Sequence, residues 1–230
     1  MAKKVETSNL EVFENPEVLE EKLSEATDFL TKNRNTALAI AGVIVGVVVG
    51  YLTYNWYKGS QDDEGQKAMF TAVYDFEADS LDKALKGRPG GMGLLAIADE
   101  FGASAAGNLA HYYAGAALLK QGKFDQAIEH LKDFSSSDLL VQARANALIG
   151  DAYMEKNTPD EAISYYQKAA SQKGNKYFTP VYLMKLAVAQ EKAKQNDKAI
   201  DTYATVLNDY PQASEVANAK KYKSLLEAAK

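Results

Sequence analysis

The chain has 230 residues, 25% of them charged, and a formal net charge of -5. It contains no cysteine and two histidines, His111 and His130. These counts exclude a disulfide framework, a thiolate nucleophile, an iron–sulfur cluster, and a zinc site that needs cysteine or three histidines from one chain. The net negative charge, without any basic tract, argues against a nucleic-acid partner, because neutralisation of phosphates dominates that kind of affinity.

Residues 1–34 form an acidic segment ahead of the first long apolar stretch. They carry eight acidic and five basic side chains. Leu19, Leu23, Ala26 and Leu30 fall on one stripe at helical spacing, which predicts a short amphipathic helix. Because a helix this short is marginal alone, the segment either lies against a partner or is a solvated tail.

An uncharged stretch of 23 residues, 35–57, follows between Arg34 and Lys58. As a helix it would reach roughly 34 Å, enough for a hydrocarbon core of about 30 Å. A long polar segment precedes it and no small-residue cleavage site follows, so it predicts a permanent signal-anchor rather than a cleaved signal peptide. Within about 15 residues of the stretch, three basic residues lie before it and two after it, which favours a cytoplasmic N-terminus.

Three glycines recur every four residues within this predicted membrane helix, namely Gly42, Gly46 and Gly50. Residues at this spacing share one helix face, and a face of small residues lets another helix approach closely. The alternative is that glycine is simply common in membrane helices. The pattern therefore predicts a packing face toward a second copy or a larger membrane partner.

A repeat follows the membrane stretch. The string Asp-x-Ala-Ile occurs three times, with central alanines Ala127, Ala162 and Ala199. A small residue lies twelve positions before each alanine (Gly115, Gly150 and Ala187), and a large one lies four positions after it (Leu131, Tyr166 and Tyr203). This is the tetratricopeptide pattern, in which small residues let two antiparallel helices approach and large ones fill the space toward the next pair.

The sequence therefore predicts an all-α protein, with one N-terminal transmembrane helix followed by a tetratricopeptide-like solenoid of helical hairpins. The expected segments are an acidic cytoplasmic tail with a short amphipathic helix (1–34), a transmembrane helix (35–57), a juxtamembrane helical hairpin (58–104), and repeats with a C-terminal capping helix (105–230). Within the third segment, one helix is expected from Gln66 to Lys86 and a shorter one from Met92 to Phe101.

No pattern of an enzyme or a cofactor site emerges. The triplet Gly91, Gly93 and Ala96 resembles a dinucleotide loop but follows a helical segment instead of a strand. The acidic run 62–64 lacks the ligand spacing of a calcium loop. We therefore predict a non-enzymatic protein without catalytic, cofactor-binding or metal-binding residues.

The repeat register predicts a protein-binding groove on the face lined by the first helix of each pair. Exposed Met, Tyr and Leu interleaved with both signs of charge suit an extended peptide or a segment of another protein. The alternative is that flanking helices fill this face. The groove residues are Tyr112, Leu119, Lys120, Arg144, Asp151, Met154, Glu155, Met184, Val188 and Lys192.

Four local features together suggest a family. They are the motif Phe29-x-x-x-Asn33, the glycine-rich span, the interfacial Trp56 and the helix from Gln66 to Tyr74. With the repeats, they resemble the ancillary subunit of the bacterial Sec translocon, a single-pass protein of the inner membrane with a periplasmic tetratricopeptide-like domain. The resemblance implies a cytoplasmic N-terminus, a periplasmic C-terminal domain and no catalytic residue.

The resemblance also implies two partners, the channel subunits of the Sec translocon and a membrane-anchored periplasmic chaperone of the peptidyl-prolyl isomerase type. The repeats would offer a binding surface to these partners or to a translocating polypeptide. The first functional hypothesis is accordingly a non-enzymatic accessory of protein export. The second is a self-associating, membrane-anchored scaffold in assembly of the cell envelope.

Overall fold

The computed structural model describes residues 16–172 and 175–229, and every regular element within these ranges is an α-helix. The prediction of an all-helical chain is confirmed. The helices are α1 (Pro16–Lys32), α2 (Arg34–Glu77), α3 (Leu81–Lys86), α4 (Leu94–Glu100), α5 (Ala105–Lys120), α6 (Phe124–Asp133), α7 (Leu139–Glu155), α8 (Pro159–Ser171), α9 (Thr179–Lys192), α10 (Asn196–Asp209) and α11 (Val216–Ala228).

The chain divides into two compact units, residues 1–57 and 58–230. In the first unit, α1 begins at Pro16, a residue whose fixed φ suits the first turn of a helix. Leu19 and Leu23 of the predicted apolar stripe are exposed, whereas the side chains of Ala26 and Leu30 lie outside the described residues.

Helix α2 contains a segment that is long and apolar enough to cross a membrane, and no residue of its most apolar stretch is buried. Gly42, Gly46 and Gly50 lie on this part of the helix. A methyl group added to any of the three would have no neighbouring atom within 4 Å. Their shared face is therefore open to another helix, and its use for packing stays a prediction.

Three helix pairs form most of the second unit: α5 with α6, α7 with α8, and α9 with α10. A Cβ atom on Gly150 would stand 2.6 Å from Cε1 of Tyr166, and one on Gly115 would stand 2.5 Å from Cγ of Leu131. Real Cβ contacts are never this short, so both positions require glycine for the two helices to approach. The small and large residues of the repeat thus meet across each pair, as the pattern predicted.

The two helices of each pair are connected by the same kind of turn. The turn residues Gly122, Asn157 and Lys194 have positive φ angles of 74°, 59° and 59°. In the first turn, the Gly122 amide donates to the carbonyl of Leu119 at 3.0 Å, and the Lys123 amide donates to that of Leu118 at 2.9 Å. This is the Schellman motif, which satisfies the last carbonyls of the first helix, and the same two bonds recur in both later turns.

A fourth turn of this kind occurs ahead of the repeats. Asp79 has a φ angle of 55°, its amide donates to the carbonyl of Phe76, and the Ser80 amide donates to that of Asp75. The turn ends α2 and separates it from the six-residue α3. The single helix predicted from Gln66 to Lys86 is therefore wrong, because a left-handed residue at position 79 cannot continue a right-handed helix.

This fourth turn belongs to a truncated copy of the repeat. Ala84 follows Asp79 by five residues, as Ala127 follows Gly122, and it is fully buried. Ala72 lies twelve residues before Ala84 and is also buried, so it takes the position of Gly115 in the next copy. The second unit thus begins with a shortened hairpin made from the end of α2 and from α3.

An ion pair replaces the usual apolar contact in this truncated copy. Arg88 follows Ala84 by four residues, the position where the complete copies have a large buried side chain. Its Nε donates to Oδ2 of Asp75 at 2.8 Å, and a second guanidinium nitrogen contacts Oδ1. The hydrogen bond from Arg88 holds the pKa of the Asp75 carboxyl below its usual value, although only 2% of that side chain is exposed.

The two histidines of the chain meet across the first pair. His111 on α5 and His130 on α6 bring their Nδ1 atoms to 3.0 Å. Burial and the nearby His111 lower the pKa of His130, while Glu129, Asp99 and Asp133 act against that shift. A neutral pair can share one hydrogen bond between the two nitrogens, whereas two imidazolium rings would both be donors.

We expect the second unit to lose stability as the pH falls below about 6.5, the ordinary pKa of histidine. The folded state binds protons at His130 less readily than the unfolded state does, so acid favours unfolding. Above pH 6.5 the stability contributed by neutral His130 is retained in full. Thermal unfolding of the full-length protein at pH 7.5 and pH 5.0 measures the change, with His130→Gln as the control. The loss on acidification should be smaller in His130→Gln, and an identical loss in both proteins would contradict the assignment.

Candidate protein-binding cleft

The first helices of the repeats line a cleft of about 650 Å³. Side chains from α5, α7 and α9 contribute to it, and α6 and α8 add one each. Residues three or four positions apart share a helix face, so each first helix presents a short row of side chains to the same space.

Seven of the ten predicted groove residues line this cleft. Leu119, Met154, Met184 and Val188 supply its apolar surface. The unbranched methionine side chains adapt to partners of differing shape. The charged members are Lys120, Asp151 and Glu155.

The other three predicted residues lie elsewhere. Tyr112 and Arg144 line a different cleft of about 440 Å³. Lys192 is exposed on α9 and lines neither of these two clefts. The repeat register placed all three residues on first helices, as the structure has them. It does not indicate which of the separate clefts each side chain lines.

A polar cluster that the sequence did not indicate lines the cleft. The Tyr166 hydroxyl donates to Oδ1 of Asp151 at 2.6 Å, and Nζ of Lys185 donates to the same oxygen at 2.6 Å. The repeat pattern gave Tyr166 only a packing role, and Lys185 follows the predicted Met184 directly. Lys185 lies 34 residues after Asp151, which is one nominal repeat, and this spacing could have indicated that the two residues are neighbours.

The tyrosine of this cluster stays protonated. Burial raises the pKa of Tyr166 well above its usual value, and the carboxylate of Asp151 raises it further. Its hydroxyl is therefore a permanent donor, and Lys185 neutralises the charge of Asp151. The cluster therefore links α7, α8 and α9 to one another through side chains that line the cleft.

The remaining charges of the cleft differ in how they are paired. Lys120 donates to Oδ1 of Asp79 at 2.8 Å, in the turn of the truncated copy. Glu155 is exposed, and the part of the chain that the structure describes offers it no ion pair or hydrogen bond. The cleft therefore combines an adaptable apolar surface with one free carboxylate, an arrangement suited to binding a polypeptide.

Over residues 16–172 and 175–229, no three histidine, aspartate or glutamate side chains come together as metal ligands. In the cleft, Tyr166 and Lys185 both donate hydrogen bonds to Asp151, so these polar groups are bound to one another.

Stacked hairpins that share one cleft along their first helices define the class of this protein as a helical-repeat protein. Two tetratricopeptide repeat families match the chain, one over residues 112–178 and the other over residues 182–213. The chain therefore contains tetratricopeptide repeats, as the sequence predicted, and proteins of this kind are typically non-catalytic scaffolds for protein–protein interaction. The truncated hairpin lies outside both matched ranges. No curated protein matches the chain.

Proposed function

We propose that this chain is a non-enzymatic accessory subunit of the bacterial Sec protein-export channel. Residues 35–57 anchor it in the inner membrane with a cytoplasmic N-terminus, and the repeats face the periplasm. The binding role rests on one observation, the cleft that the repeats line with methionine, leucine and valine around the Asp151–Lys185 pair. The export assignment is supported by the resemblance of the motif at Phe29 and Asn33, the glycine-rich span and Trp56 to the Sec ancillary subunit.

The proposed partners follow from two features, the glycine face of α2 and the cleft of the repeats. The glycine face of α2 suits close packing beside the channel subunits. The cleft suits a peptide-like segment, supplied by a membrane-anchored chaperone of the peptidyl-prolyl isomerase type or by a translocating polypeptide.

Purification of the full-length protein from membranes in mild detergent tests this proposal. We expect the Sec channel subunits to co-purify with the wild type. Gly46→Ile should reduce their recovery because it fills the open glycine face, whereas Val47→Ile, a change on a neighbouring face, should not. Recovery of the wild type without any translocon subunit would contradict the export assignment.

The open glycine face also favours a second candidate, a self-associating scaffold of the cell envelope. This candidate predicts that the wild type is a homodimer in detergent and that Gly46→Ile makes it monomeric. Cross-linking followed by size-exclusion chromatography distinguishes the two candidates, and a monomeric wild type would exclude the scaffold.

A further inference from the structure

A pair of imidazole rings lies between the two helices of the first repeat pair. His111 on α5 and His130 on α6 bring their Nδ1 atoms to 3.0 Å, with the ring centroids 5.1 Å apart. Neither histidine lines the cleft described above. Both rings are half-buried, so water and small ions can reach them. Neutral imidazole is the commonest metal ligand in proteins, and two such nitrogens side by side are two of the ligands that a metal chelate needs.

The separation of the two nitrogens matches the distance between neighbouring ligands of one metal ion. An imidazole nitrogen lies about 2.0–2.1 Å from a bound ion of this size. Two such nitrogens are about 2.9 Å apart when the angle at the ion is about 90°, and about 3.3 Å apart when the ion is tetrahedral. The 3.0 Å between His111 and His130 is nearer the first value. A right angle is the geometry of square-planar and octahedral ions, so Cu²⁺ and Ni²⁺ fit this pair better than Zn²⁺ does.

Each ring can present an Nδ1 lone pair to the same ion. In the neutral pair one Nδ1 carries the proton of the hydrogen bond, and as a metal ligand that ring must carry its proton on Nε2 instead. Neither Nε2 has a hydrogen-bond partner among residues 16–172 and 175–229, so both can hold that proton. The proton moves through solvent between two nitrogens of one ring, which stays neutral. Rotation about the Cβ–Cγ bond, a soft torsion in histidine, then turns the two lone pairs toward one point.

Carboxylates surround this pair. Asp99 on α4, together with Glu129 and Asp133 on α6, favours positive charge at the His130 ring, against the effect of burial. All three carboxylates are exposed, and none forms an ion pair or hydrogen bond within the part of the chain that the structure describes. Their uncompensated negative charge draws a divalent cation toward this point of the surface.

We propose that His111 and His130 bind one divalent transition-metal ion through their Nδ1 atoms, with Cu²⁺ bound most tightly. Water completes the coordination, since no third histidine, aspartate or glutamate ligand joins the pair within the described residues. The general order of affinities places Cu²⁺ above both Ni²⁺ and Zn²⁺. The bound ion joins α5 to α6 and so stabilises the first repeat pair. This site is independent of the export assignment.

Electron paramagnetic resonance of the full-length protein in detergent, purified without a polyhistidine tag, tests this proposal. The chain has no other histidine and no cysteine, so an imidazole signal reports on this pair alone. At one equivalent of Cu²⁺ we expect a spectrum split by two imidazole nitrogens. A spectrum with one imidazole nitrogen, or with none, would overturn the proposal, and this measurement needs no variant.

Variants measured by isothermal titration calorimetry connect the binding to these residues. His111→Gln and His130→Gln each remove one ligand and should weaken Cu²⁺ binding by more than about tenfold, since losing even an outer-shell partner costs 10–100-fold. Glu129→Gln should weaken it by about two- to fivefold, the value of an exposed charge interaction. Glu161→Gln removes an exposed carboxylate from α8 instead and should change nothing. Helical circular dichroism verifies that each variant is folded.

Binding of the ion should also raise the midpoint of thermal unfolding. With free Cu²⁺ tenfold above its Kd, the wild-type midpoint should rise by about 3–6 °C. The midpoint of His130→Gln should rise by less than about 1 °C at the same Cu²⁺ concentration, because most of the ion is then unbound. Unchanged Cu²⁺ affinity in both histidine variants, or tighter binding of Zn²⁺ than of Cu²⁺ by the wild type, would contradict the proposal.

Discussion

Gly150→Ala is expected to lower the free energy of unfolding of the repeat unit by about 1–3 kcal/mol, the usual cost of overpacking a core. A Cβ atom at this position would lie 2.6 Å from Cε1 and 2.7 Å from Cδ1 of Tyr166. The ring has little freedom to move away, because it is buried and its hydroxyl is held by Asp151. Either α7 and α8 must separate or the ring must leave the Asp151–Lys185 cluster.

Denaturant unfolding of the full-length protein in detergent, followed by helical circular dichroism, measures this effect. Gly59→Ala is the matched control, since a Cβ atom there meets nothing within 4 Å and alanine favours a helix over glycine. In a Tyr166→Leu background the cost of Gly150→Ala should shrink, because the two residues are in contact. A Gly150→Ala protein as stable as the wild type would contradict the packing described.

Tyr203→Ala is expected to be more damaging, at about 3–5 kcal/mol, the range for truncating a buried aromatic side chain. Tyr203 is fully buried in the cluster that includes Ala187 and Ala219. Its ring stacks on Tyr222 with centroids 6.0 Å apart, and its hydroxyl donates to Glu191. The side chain therefore joins the last complete pair to the closing helix α11.

The same unfolding measurement tests this prediction with two further variants. Tyr203→Phe keeps the ring and loses only the hydrogen bond to Glu191, so it should cost about 0.5–1.5 kcal/mol. Tyr177→Ala removes an exposed ring of the same kind and should have little effect. A Tyr203→Ala protein within 1 kcal/mol of the wild type, about the cost of the phenylalanine variant, would show that α11 does not depend on this contact.

The complete repeats were predictable because packing dictates residue size at fixed positions. Gly150 and Tyr166 can only be neighbours if one is small and the other large, and this constraint leaves a readable spacing in the sequence. The same pattern did not reveal the truncated copy of the repeat. The position of its large apolar residue is occupied by Arg88, whose role depends on Asp75.

The candidate site was predictable to the extent that helical periodicity defines it. That periodicity placed Met154 and Val188 on the helix faces that line the cleft. Lys185 pairs with Asp151 across a full repeat, and His111 meets His130 from a different helix. Such pairings depend on how neighbouring helices pack, so a spacing within one helix gives no signal of them.

Site-specific photo-crosslinking in living cells tests most directly the central claim that the cleft of the repeats binds protein. A photoreactive amino acid placed at Val188, exposed within the cleft, is compared with one at Gln167, exposed on α8 outside it. We expect discrete crosslinked products from Val188 that contain translocon subunits, a periplasmic chaperone or exported chains, and none of these from Gln167. Absence of products from Val188, or the same products from both positions, would contradict the claim.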